Sequence, residues 1–401
     1  MPGIRKSGRP GRRTAGLLGL AAAALAAAIV AIYAASDRHG RDDAGRPSGE
    51  GAVPAAPPLA LSAWIVDWQW EAGLADFADV APGLDGVQAF AAYFDDKDGL
   101  YLTEEDRKAL PEVLAAAKKA GLRQAALTVV NDRYAADGTP AAEKDPALVS
   151  RLLATEASRG KHLSDLMAAV DTYGFGGLEL DYERVPDGDW ANFAVFIGDL
   201  YGRLQAEGKT LRVVLEPRAP LADVELPAGP AYVMMAYNLY GGFSGPGPKA
   251  DDAFIAQVAA RMEGLPGDKA IALSLGGFDW TADKQATAVT EAQAAELARG
   301  PGAEPAARDA ASGSLHFRYA DGKGKVHTVW YADAETVKRW IGAARDAGVH
   351  EIALWRLGGL TAEMRDFVRG AKAAYDPSPA GGGRAGGESA PASKSSSGDA
   401  P

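Results

Sequence analysis

The sequence predicts a (β/α)8 TIM barrel, an α/β fold, and three observations carry that prediction. Eight short apolar runs alternate with amphipathic helical stretches over about 300 residues, the pattern of repeated strand–helix units. The runs end in polar and aromatic residues, and in such barrels the chemistry sits at the C-terminal ends of the strands. The first run, Trp64-Ile65-Val66-Asp67-Trp68, leads into no glycine-rich phosphate loop. The competing architecture, a doubly wound open sheet, would usually show one there.

In chain order, strands are expected at 63–68, 86–91, 124–130, 177–182, 211–215, 232–237, 270–275 and 351–357. Helices are expected between them at 104–120, 147–173, 190–206, 253–263 and 334–347. One stretch departs from the strand–helix alternation. Between Trp280 and Trp330 comes a helix-like piece, then a strand pair at 315–319 and 325–331 around Asp321-Gly322. Asp-Gly between two such runs signals a hairpin. A small α+β insertion is therefore expected at about 281–331, after strand 7 and beside the barrel mouth.

The ends of the chain read differently from this middle. Residues 1–14 form a basic region with Arg5, Lys6, Arg9, Arg12 and Arg13, and 15–35 are uncharged and rich in Ala, Leu and Ile. Basic residues before such a run describe a membrane signal anchor or a signal peptide. The positive charges stay cytoplasmic, so the remainder is expected to be exported, membrane-anchored or, after cleavage near Ala35, secreted. Residues 36–58 carry Gly, Ala, Pro and charge without apolar periodicity and read as a flexible linker. Residues 376–401 read as a disordered tail, which leaves 59–375 for the barrel.

Composition narrows the function classes. With 47 % hydrophobic residues a sizeable core is available, and a net charge of −11 argues against a nucleic-acid partner. The chain has no cysteine, which removes disulfides, thiolate metal sites and a cysteine nucleophile. Its five histidines are scattered with no metal-ligand spacing. Neither a metal nor a cofactor is expected, and the protein is expected to be a monomer.

The run Gly176-Gly177-Leu178-Glu179-Leu180-Asp181-Tyr182-Glu183 carries most of the chemistry. On a strand, Glu179, Asp181 and Glu183 share one face and Leu178, Leu180 and Tyr182 the other. Asp181 and Glu183 lie roughly 6–7 Å apart along the backbone, so their side chains can meet. A like charge nearby raises one carboxyl pKa and keeps a proton for a leaving group, which makes Glu183 the best acid candidate. The other strand ends mix carboxylates with aromatics: Asp67-Trp68, Tyr93, Asn131-Asp132, Glu216 with Arg218, Tyr237-Asn238, Asp279-Trp280 and Trp355. Aromatic rings stack on the apolar faces of sugars while polar groups bind hydroxyls, so the mixture suits a sugar site. Two carboxylates on one face of one strand do not readily flank a sugar from opposite sides, as the ordinary retaining scheme requires. The second group then comes from another strand, with Asp279 or Glu216 as options. Alternatively the substrate supplies its own 2-acetamido oxygen, with Asp181 orienting the amide and a tyrosine bonding its oxygen.

These motifs resemble glycoside hydrolase family 18. The fourth-strand signature of that family, acidic residues at alternate positions ending in Asp-x-Glu, matches Glu179, Asp181 and Glu183; Gly176 stands where many members have a first Asp. Met235-Ala236-Tyr237-Asn238 matches the sixth-strand motif and Trp355 the eighth-strand tryptophan. A narrower similarity is to bacterial spore-germination and cortex-lytic N-acetylglucosaminidases. It rests on Ser244-Gly245-Pro246-Gly247-Pro248, Gly277-Phe278-Asp279-Trp280, and Phe317-Arg318-Tyr319 through His327-Thr328-Val329-Trp330-Tyr331. The Ser-x-Gly-Gly pattern of the third strand is missing. The resemblance implies a retaining, substrate-assisted glycosidase. Glu183 would be its acid/base, Asp181 the residue orienting the acetamido group, and Tyr237 the stabiliser of the oxazolinium-like intermediate. Trp355 would close the −1 subsite near Asn238, with Glu179, Glu216 and Asp279 as further substrate contacts and His327 structural. The implied partner is a polysaccharide containing N-acetylglucosamine (GlcNAc), peptidoglycan ahead of chitin. Two alternatives stand beside this: a non-catalytic, membrane-tethered glycan-binding protein on the same fold, and a glycosidase with its own nucleophile, such as Asp279.

Overall fold

The computed structural model describes residues 57–375 except Lys284. The basic region, the apolar run, most of the linker and the C-terminal tail lie outside the described residues. Among the described residues no helix is long and apolar enough to cross a membrane.

Eight parallel strands close into a barrel: β1 (Ala60–Val66), β2 (Gly86–Phe94), β3 (Gln124–Tyr134), β4 (Gly177–Asp181), β5 (Thr210–Leu215), β6 (Ala231–Met235), β7 (Lys269–Ser274) and β8 (Glu351–Trp355). They pair in sequence order, and β8 returns to β1 through Ala60 beside Glu351. The (β/α)8 expectation is borne out, and each expected strand overlaps an observed one. Two apolar layers hold the barrel. Outside, Leu178, Leu180 and Tyr182 of the β4 segment pack in one cluster with Phe193 and Phe196 of the helix Trp190–Ala206. Inside, Trp64, Phe90, Val130, Val214 and Met235 fill the lumen. The alternation read in the acidic run is thus the alternation of these two layers.

The expected helix at 147–173 is two helices, Pro146–Leu153 and Glu156–Tyr173. Thr155 is the reason: its side chain accepts the Ser158 N–H in a capping box and starts a new helix. Helices Trp70–Val80 and Ala362–Tyr375, absent from the expected set, join the outer ring, and among the described residues no helix separates β5 from β6.

After β7 the chain enters a five-stranded antiparallel sheet. Gly276–Thr281 lies between Ala286–Val289 and Val326–Ala332, and Leu315–Ala320 pairs on the outer side of the last. Helix Glu291–Arg299 covers it, with Ala294, Phe317, Val329 and Tyr331 as the core. Two glycines allow the turn from barrel to sheet. Gly276 has φ +82°, and a Cβ on Gly277 would lie 1.8 Å from the Trp330 carbonyl oxygen.

Candidate active site

The C-terminal ends of β1, β2, β3, β4, β6 and β8 surround a cleft of about 430 Å³. Asp181, Glu183, Tyr237, Asn238 and Trp355 all line it, as do Trp68 and Tyr93. Five of the eight residues singled out from the sequence are therefore brought together.

The acidic row divides by depth. Glu179 is fully buried in the lumen and does not line the cleft. It accepts hydrogen bonds from Trp64 Nε1 (2.6 Å) and Thr128 Oγ1 (2.8 Å) and pairs with Arg212 Nε at 2.9 Å. It fixes Trp64, whose ring lies 5.7 Å from that of Trp355, so it supports the floor of the site from below. Asp181, one layer higher, is also buried, and its Oδ1 has no hydrogen-bond partner among the described residues. Burial pushes its carboxyl up to about 7; Lys144 opposes the shift, and Glu183, Glu179 and Asp132 add to it. Glu183 stands beyond the strand end. Its backbone is clamped by Asn131 of β3, whose Oδ1 accepts the Glu183 N–H (3.0 Å) and whose Nδ2 donates to the Glu183 carbonyl (2.9 Å).

Sequence reasoning missed Lys144. It lies between β3 and helix Pro146–Leu153, with φ +50° and its backbone N–H bonded to Asp132 Oδ1 (2.8 Å). Its Nζ is 3.1 Å from Glu183 Oε1, 3.5 Å from Asp181 Oδ2 and 3.7 Å from Asp132 Oδ1. Burial disfavours its charge, but Asp181, Glu183 and Asp132 outweigh that, and its pKa rises above the usual lysine value. Lys144 is thus an ammonium that neutralises part of the acidic row. Nothing in the sequence distinguishes it from the other basic residues.

Burial, with Asp181, Glu183 and Glu179 nearby, keeps the Tyr237 hydroxyl protonated far above neutrality, available as a donor. The Trp355 ring meets Phe90 at 4.9 Å, and Phe90 meets Trp68 at 5.7 Å, both edge-on. Tyr93 donates to Asp67 Oδ1 (3.0 Å) and Thr103 Oγ1 to Asp67 Oδ2 (3.2 Å), so Asp67 braces the β1 and β2 ends.

Glu216 and Asp279 do not line the cleft. Glu216 accepts the Arg184 N–H at 2.7 Å, steadying the positive-φ residue that follows Glu183. Asp279 lies in the inserted sheet, where the Tyr319 hydroxyl donates to Oδ2 (2.7 Å) and His327 Nδ1 lies 2.9 Å from Oδ1. His327 has the structural place in the hairpin that the sequence suggested.

No protein-family profile matches the chain. A Bacillus subtilis protein named as a sporulation-specific glycosylase, YdhD, is 28 % identical over 226 residues, 52 % of this chain and 53 % of that protein. The chain spans about half the length of the curated relatives it matches. Two crystal structures share the fold. The Bacillus cereus spore cortex-lytic enzyme SleL has a TM-score of 0.65 at 19 % identity, covering 78 % of this chain and 74 % of that one. A chitinase from Chromobacterium violaceum has a TM-score of 0.63 at 19 % identity, covering 78 % and 99 %. The chain is similar to the group of proteins toward which its motifs pointed.

Proposed function

We propose that the protein is an exported glycoside hydrolase that cleaves β-linked GlcNAc polymers, peptidoglycan in preference to chitin, by a retaining, substrate-assisted mechanism. The observation that carries this reading is the buried Oδ1 of Asp181, unpartnered among the described residues and set in one cleft with Glu183, Tyr237 and Trp355. A sugar stacked on Trp355 would present a 2-acetamido group to that oxygen, and its N–H would supply the missing donor. Tyr237, a protonated donor, would then bond the acetamido oxygen.

Glu183 would give its proton to the glycosidic oxygen as the acetamido oxygen attacks C1, so that the leaving sugar departs as an alcohol and an oxazolinium-like ring forms. Glu183 would next take a proton from water as that water opens the ring with net retention. Lys144 contacts both carboxylates, and a sugar entering the cleft would compete with it for Glu183. The similarity to a sporulation glycosylase and to a cortex-lytic enzyme's fold supports the substrate class. The basic region at 1–14 followed by the apolar run at 15–35 supports export.

Replacing Glu183 by Gln removes the proton donor with little change of shape. Hydrolysis of GlcNAc oligomers and of purified peptidoglycan should fall by roughly a thousandfold or more. Unchanged turnover in that variant would overturn the assignment.

A further inference from the structure

A second cavity, of about 260 Å³, adjoins the cleft, and Trp355 lines both. Its charged lining residues are Lys249, Glu291 and Arg356. Glu291 is already engaged: the Thr361 N–H (2.7 Å) and hydroxyl (2.8 Å) donate to its carboxylate. The two cations are not matched. Among the described residues neither has a carboxylate within ion-pair distance. Arg356 donates to Gln69 Oε1 (2.7 Å) and lies 5.4 Å from the centre of the Trp68 ring. Lys249 Nζ rests 4.1 Å from the centre of the Phe278 ring and donates to no protein oxygen among the described residues.

Two partly buried cations side by side without an acid among the described residues are costly. Burial pushes the Lys249 ammonium down to about 8, and the nearby Arg356 adds to the shift. In a chain with 53 acidic residues against 42 basic ones, a matching acid is easily supplied, and among the described residues none is. An incoming carboxylate would satisfy both groups, with the guanidinium fork and the ammonium as charge-assisted donors.

We propose that this second cavity is a subsite for a carboxylate carried by the glycan, held between Lys249 and Arg356 beside the sugar that stacks on Trp355. The subsite rests on the reading of the cleft as a GlcNAc-glycan site and deepens it: it selects an acidic glycan over a neutral one. In peptidoglycan the carboxylate has two sources, the lactyl group of an unsubstituted muramic acid or a stem peptide attached there.

The test is calorimetric titration of the full chain carrying Glu183→Gln. It uses peptide-free peptidoglycan strands, the same strands with their carboxylates amidated, and strands that still bear peptides. The Glu183→Gln chain should bind one or both carboxylate-bearing forms about tenfold more tightly than the amidated form. Tighter binding of the peptide-free form assigns the lactyl carboxylate, and tighter binding of only the peptide-bearing form assigns the peptide. Adding Lys249→Met should bring the ratio close to one, and Lys249→Arg, which keeps the charge, should preserve it. No preference in the Glu183→Gln chain, or a preference that survives Lys249→Met, overturns the subsite. Turnover by the unsubstituted chain reports separately on the hydrolase: charge-dependent binding without hydrolysis of any strand leaves the subsite standing and removes the enzyme reading.

Discussion

Asp181 and Glu183 stand two residues apart on the same face, yet their surroundings differ. Asp181 is buried above Glu179 with one oxygen unpartnered, whereas Glu183 lies beyond the strand end against Lys144. The carboxyl that burial drives up to about 7 is Asp181. The folded chain therefore holds the Asp181 proton more tightly than the unfolded chain does. The stability that this confers is fully present below about pH 4 and is lost as pH rises through about 7. Asparagine has no such titration. Between pH 4 and 7, Asp181→Asn should gain on the unsubstituted protein by up to about 1.4 kcal/mol per pH unit, measured by denaturant unfolding at several pH values. Parallel pH profiles for the two proteins would rule out a raised Asp181 carboxyl.

At the level of elements, the acid is positioned by its neighbouring strand. Asn131 in the C-terminal half of β3 makes both hydrogen bonds to the Glu183 backbone and is itself fully buried. Asn131→Ala should leave the Glu183 N–H unpaired, cost about 1–3 kcal/mol in unfolding free energy, and lower kcat by roughly tenfold or more with a smaller change in KM. A variant that loses stability but keeps kcat would make Asn131 a brace for the barrel alone. The insertion is joined in another way. Asp279, Tyr319 and His327 tie two of its hairpins together, so an acid that in sequence resembles a strand-end catalytic group serves to stitch a sheet.

On the scale of the whole molecule, the barrel brings residues more than 170 apart in sequence, such as Asp181 and Trp355, into one cleft. Its face toward the second cavity is shared with the insertion, through Gly277, Ala288 and Val289. The N-terminal basic and apolar segments make a separate statement about place. When the full chain is expressed in a bacterium, protease added outside the cytoplasmic membrane should reach the barrel. The protein should sediment with membranes if the apolar segment is retained, or leave the cells if it is cleaved. A chain found in the cytosol and protected from external protease would contradict export.

The barrel and the heart of the site were legible because both are written in local periodicity. Alternation along 177–183 separates an acid face from an apolar face in any strand, and eight such runs divided by amphipathic helices leave few ways to bury them all. Tyr237 and Trp355 were legible as aromatics at strand ends. The roles of Glu179, Glu216 and Asp279 were not, because an acidic residue in sequence has no depth. Only the closed barrel decides that Arg212, Trp64 and Thr128 surround Glu179, and only the pairing of the inserted sheet decides that Asp279 faces His327. Lys144 and the unmatched pair Lys249 and Arg356 were hidden for the same reason. A charge acquires its meaning from what lies within a few ångströms of it, and that distance is set by chain crossings far apart in sequence.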